Sequence, residues 1–123
     1  MATGLEDLGL YQRAQGVCDE VWELASRWPR FEREVVGSQF IRAADSIGAN
    51  IAEAHGRFHY GEKTQFMYYA RGSLYETRHW LHRANRRRLI EPPQYSALLT
   101  QLDTLAHDIN RYINYLRNRR QQT

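Results

Sequence analysis

Glu76 and His79 stand three residues apart, the spacing of one half of a carboxylate-bridged di-iron site. That design takes a second Glu-x-x-His from another helix, and the chain has none. His55 and His59 are four apart but straddle Gly56 near an expected helix end, where one-face geometry is not assured. Cys18 is the only cysteine, which removes thiolate zinc chemistry and any internal disulfide and points to a reducing compartment. It falls on an apolar stripe and reads as a small core residue. Ser46 and Ser73 lie in mid-helix rather than on a strained strand-to-helix elbow, and Gly-x-Ser-x-Gly is absent. So is the Gly-x-x-x-x-Gly-Lys of a phosphate loop. No catalytic residue, metal ligand or cofactor is therefore expected. An enzyme would need a site assembled between subunits.

Charge is the stronger signal. Residues 1–62 hold ten acids and six Lys/Arg, a balance of -4. Residues 63–123 hold four acids and eleven Lys/Arg, a balance of +7, so the whole chain stands at +3. Sixteen of the seventeen strong bases are arginine, whose planar fork suits phosphate and carboxylate. Arg71, Arg78, Arg83, Arg86, Arg87 and Arg88 run down one segment as candidate nucleic-acid contacts. Tyr68, Tyr75 and Trp80 interleave with them and could stack on bases. A second group, Arg111, Arg117, Arg119 and Arg120, crowds the end of the chain. The competing interpretation is a solvated arginine face whose stems cover apolar surface, with the aromatics buried between subunits.

These residues need elements to hold them, and four segments carry helical periodicity, over about 5–28, 35–57, 62–89 and 92–118. Leu8, Tyr11, Ala14, Cys18, Val21, Ala25 and Trp28 mark the first, with Thr3 and Glu6 as a capping box and Pro29 as a stop. Val36, Phe40, Ala43, Ile47, Ile51 and Ala54 mark the second, whose start is open: Gly37-Ser38 could cap it after an irregular approach over 32–36. Phe66, Ala70, Leu74, Thr77, Leu81 and Ala84 mark the third, and Pro92-Pro93 block its continuation. Tyr95, Leu98, Leu102, Leu105, Ile109, Ile113 and Leu116 mark the fourth, before a polar Arg-Gln tail. Rods of similar length with short connections predict an all-α, antiparallel up-down-up-down four-helix bundle, one domain over 1–123. No apolar run approaches the roughly 18 residues of a membrane span, and mean hydropathy is -0.71. With Glu6 and Asp7 near the start, no secretory leader is expected either, which predicts a cytoplasmic protein.

Folding the second and third segments about Tyr60 places Arg42 near Glu76, Ser46 near Ser73 and Asn50 near Ala70. Gly48 and Gly72 could let the two backbones approach closely there. Arg42, Ser46, Asn50, Glu53, Arg57, Ser73 and Glu76 then form a structural polar network, with Arg42 and Glu76 as a buried pair. The run Arg42-Ala43 … Ser46-Ile47 … Asn50-Ile51-Ala52-Glu53 … Gly56-Arg57, with Phe66 … Ala70-Arg71-Gly72-Ser73-Leu74-Tyr75-Glu76, resembles a known family. It is similar to the four-helix-bundle proteins encoded in intervening sequences of bacterial 23S rRNA genes. The accessory variability determinant of diversity-generating retroelements belongs to the same family. Leu8, Ala14, Pro29, Glu34 and Gln39 also fit the pattern, while Ala54 stands where the family usually has glycine. The resemblance implies a bacterial protomer of a homo-oligomeric ring, a pentamer, without enzymatic activity. The retroelement relatives bind a reverse transcriptase and nucleic acid, and with the arginine-rich surface this makes RNA, DNA or a nucleic-acid-handling protein such as a reverse transcriptase the expected partner. A purely structural ring is the alternative.

Overall fold

Four long helices and no strand make up the described part of the chain, residues 4–122 of a computed structural model. α1 spans Gly9–Ala25. α2 is one rod in three pieces: Arg30–Glu32, a π-helical turn at Arg33–Gly37, and Ser38–Gly56. α3 spans Tyr60–Arg86 and α4 spans Pro92–Gln122. The four expected helices are present, and their ends differ from expectation for local reasons.

Thr3, half of the expected capping box, lies outside the described residues. A 3-10 turn at Leu5–Asp7 leads into α1, and Leu8 takes the N-cap position in extended backbone with no side-chain cap. α1 stops at Ala25, and Pro29 opens α2 as its N-cap, accepting the Arg33 N–H at 2.8 Å. Proline suits a helix start because it has no N–H there to leave unpaired. α2 thus begins at Arg30, and Gly37 does not cap it: its φ of -59° and ψ of -44° are helical. The irregularity near 32–36 is a π turn, in which the neighbours Val36 and Gly37 are both buried. α3 closes in a Schellman turn: the Leu89 N–H donates to Ala84 O at 2.9 Å and the Arg88 N–H to Asn85 O at 3.1 Å. Helical structure at the other end of the chain runs to Gln122 rather than fraying near 118.

One cluster of buried side chains draws on all four helices. Val17 and Val21 of α1, Phe40 and Ile47 of α2, Leu74 and Leu81 of α3, and Leu102 and Leu105 of α4 illustrate the three- to seven-residue spacing that keeps one stripe inward. Between α1 and α4, Arg13 pairs with Asp108 and Gln101 donates to Glu20 at 2.6 Å. Between α3 and α4, Arg71 meets Asn110, Arg78 meets Asp103 and His82 meets Tyr95. In each set the partner number falls as the first number rises. Gly48 and Gly72 do not bring α2 onto α3. A methyl on Gly48 would meet Tyr11 and Ala14 of α1, and one on Gly72 would meet open space. The close α2–α3 contact rests on Ser46 and Ser73 instead, whose hydroxyls are 2.9 Å apart.

Candidate nucleic-acid interface

α3 presents the six arginines in two different ways. Arg71 is half-buried; its guanidinium donates to Asn110 Oδ1 at 3.0 Å and lies 4.9 Å from the centre of the Tyr68 ring. Arg78 pairs with Asp103 at 2.7 Å. Both side chains therefore tie α3 to α4, and a phosphate would have to compete with those ties. Arg83 is half-buried near the end of the helix, while Arg86, Arg87 and Arg88 are exposed. None of these four takes part in an ion pair closer than 4.0 Å among the described residues. The end of α3 suits them for an elementary reason: partial negative charge gathers at a helix C-terminus and favours cations.

Arg88 adds a cost. Its φ of 61° is left-handed, and it is the one non-glycine residue with positive φ among the described residues. Glycine is the usual occupant of this position in a Schellman turn, because a β-carbon crowds the backbone there. An arginine held there is a local conflict between residue type and backbone.

Arg119 and Arg120 lie far from this cluster. Arg119 sits over the Tyr60 ring at 6.0 Å, and Arg120 lies against Gly61, so both are at the start of α3. At 1.5 Å per residue, the 27 residues of α3 separate the two arginine groups by about 40 Å. The interleaved aromatics divide too. Tyr68 and Trp80 pack partly against the core, whereas Trp22, Tyr69 and Tyr75 are exposed.

The polar network breaks into separate pieces. Ser46 and Ser73 bond across the helices, and Asn50 turns back to donate to Ser46 O at 2.9 Å and Ser46 Oγ at 3.1 Å. Glu53 and Arg57 pair at 3.2 Å as an exposed i,i+4 couple, and Arg57 also reaches Glu62 at 3.6 Å. The expected buried Arg42–Glu76 pair does not form. Both residues are exposed, and neither joins an ion pair among the described residues. Arg42 lies four residues before Ser46 and Glu76 three after Ser73. Ser46 and Ser73 are themselves only half-buried at the edge of the shared face, and the further turns of about 40° and about 60° carry Arg42 and Glu76 over that edge into solvent.

Periodicity also passed over several partners. Lys63, the only lysine, donates to Ala54 O at 3.2 Å and His55 O at 3.0 Å, closing the C-terminal end of α2. Its lone occurrence just beyond the turn was the available signal. Thr77 is fully buried and satisfies its hydroxyl on Ser73 O at 2.8 Å. Among the described residues no group of three or more His, Cys, Asp or Glu side chains converges as a metal ion would need. No helix among them is long and apolar enough to cross a membrane.

Burial pushes the Cys18 thiol from 9.0 up to about 11, with help from the nearby carboxylates of Asp45 and Asp19. Its hydrogen bonds to Gln15 O at 3.3 Å. Since the unfolded thiol ionises first, this group makes stability fall as pH climbs from 9.0 towards about 11. At pH 8 the native protein should react with iodoacetamide about a hundredfold more slowly than the denatured chain, because the thiolate is the nucleophile. Cys18 is half-buried against the core rather than fully inside it, and equal rates in the two states would contradict a thiol held neutral there.

A family model described as 23S rRNA-intervening sequence protein matches residues 6–111. Among solved structures, the chain is similar to a crystal structure from Bacteroides thetaiotaomicron, described as a protein with unknown function from the S23 ribosomal protein family. The TM-score is 0.76 at 21% identity, over 85% of this chain and 97% of that one. Such a likeness speaks to the fold. No curated protein matches.

Proposed function

The chain belongs to the 23S rRNA-intervening sequence protein family, and from that premise we propose that it is a non-enzymatic binding protein that assembles with copies of itself and grips nucleic-acid phosphates. The grip lies at the end of α3, on Arg86, Arg87 and Arg88 with Arg83 beside them. The carrying observation is Arg88, an exposed arginine at φ 61° in a position where glycine costs less. A strained residue type kept in place is a reason to look for function. The ligand is RNA or DNA, met directly or together with a nucleic-acid-handling protein such as a reverse transcriptase.

The falling register of contacts along α1, α3 and α4 supports an up-down-up-down course for the bundle. Assembly is supported by the 56% exposure of Trp22, 50% of Tyr69 and 55% of Tyr75, since aromatics are enriched at interfaces. Open space beside Gly72, one turn from both tyrosines, leaves room for a neighbouring copy. The five-fold ring rests on the family resemblance alone. A ring repeats the arginine cluster, and several weak contacts on one strand then gain avidity without any new kind of contact. A free Cys18 fits a reducing, cytoplasmic setting.

The test combines light scattering with titration of mixed RNA and DNA at several salt concentrations. A mass above that of one chain and an affinity falling log-linearly with salt are expected. Arg88→Gly separates charge from backbone. It should raise stability by about 1 kcal/mol, by relieving the left-handed strain, while weakening nucleic-acid binding. A variant that is both more stable and equally tight would leave the arginine unexplained and favour the purely structural ring.

A further inference from the structure

The turn between α2 and α3 carries Arg57, Phe58, His59 and Tyr60 in succession. Phe58 is 86% exposed, the most open large apolar side chain described, and its ring meets that of His59 edge-on at 5.0 Å. Beside it lies an open cleft of about 950 Å³, bordered by Tyr60, Gly61, Gln65 and Arg120. Gly61 shapes this cleft: a β-carbon would stand 3.1 Å from the Arg120 guanidinium, so the bare backbone lets that group lie close. Arg119 stands over the Tyr60 ring at 6.0 Å. The one acid on the cleft, Glu62, is faced by Arg57 at 3.6 Å. The end of the molecule therefore joins an open aromatic face to guanidinium groups.

We propose that this cleft is a second nucleic-acid site, which takes an unpaired base stacked on Phe58 with its phosphate towards Arg119 and Arg120. The inference rests on the nucleic-acid reading above but concerns the opposite end of α3. Stacking on aromatic faces serves single strands, because a duplex keeps its bases covered, while phosphate contacts at Arg86, Arg87 and Arg88 serve either form. The two ends thus divide the work, one holding backbone and the other an exposed base.

The experiment uses the full chain with two labelled probes, a pyrimidine tetranucleotide too short to reach both ends of α3 and a short duplex. Phe58→Ala should weaken the tetranucleotide about tenfold and leave the duplex unchanged. Phe58→Trp should restore or exceed the original single-strand affinity. The fold is safe in both variants, because the ring packs on nothing in the core. An unchanged tetranucleotide affinity in Phe58→Ala overturns the site. So does a fall in light-scattering mass in that variant, which would make the turn a contact between copies. Duplex binding without tetranucleotide binding removes this site alone. If the unaltered protein binds neither probe at low salt, the proposed function falls with it.

Discussion

Replacing Arg86, Arg87 and Arg88 together by alanine should weaken nucleic-acid binding about a hundredfold at low salt and flatten its salt dependence by about 2–3 in log-log slope. The reasoning is electrostatic. Each phosphate neutralised releases a condensed counterion, so each lost contact removes about 0.9 from the slope on duplex DNA and about 0.7 on a single strand. Far-ultraviolet circular dichroism should not change. All three side chains are exposed, and alanine at position 88 bears the same left-handed cost that arginine does. Arg27→Ala is the control: it is exposed, paired with Glu23 at 2.9 Å and carried by the α1–α2 connection. It should leave the slope where it was. Equal losses in the control and the triple variant would mean that total charge, not the end of α3, holds the ligand.

Phe40→Ala should cost about 3–5 kcal/mol, a large share of the 5–15 kcal/mol that holds a typical domain together. Phe40 is fully buried and lies nearly parallel to Trp28, at 13° and 6.1 Å between ring centres. Trp28 itself is only 7% exposed, and Val36, one turn before Phe40, is only 3% exposed. Removing the ring leaves a cavity where α2 meets the exit of α1. Phe31, nearby in sequence, is 71% exposed. Phe31→Ala should stay within about 0.5 kcal/mol. Denaturant midpoints of the two variants check the contrast, and a Phe40→Ala loss under about 1 kcal/mol would be incompatible with this packing.

Much of the fold was legible because core positions in long helices repeat every three or four residues. Phe40, Ala43, Ile47, Ile51 and Ala54 are buried as their spacing predicts, and so are Leu98, Leu102, Leu105, Ile109, Ile113 and Leu116. Periodicity, however, describes one helix at a time. It located Ser46 and Ser73 opposite one another, because both lie near the shared stripe. It misplaced Arg42 and Glu76, which keep the helical spacing but lie just beyond the edge of that stripe. It also could not see that Arg71 and Arg78 are engaged by Asn110 and Asp103, since reach across α4 depends on the rotation of a second helix. The left-handed backbone of Arg88 was hidden for another reason. Residue type predicts such a turn when glycine occupies it, and here the type points the other way.

The π turn at Arg33–Gly37 also bears on how this chain can change in length. An i→i+5 turn holds one residue more than the ordinary helix beside it. Losing that residue would return the turn to ordinary helix and leave the phase of both flanks intact, with Trp28 still before it and Phe40 still after. Elsewhere in α2, a one-residue deletion would turn the whole inward stripe by roughly 100°. Ancestral insertions and deletions are therefore best tolerated at this point. Related chains should be aligned with a single-residue gap permitted here and forbidden across Ser38–Gly56.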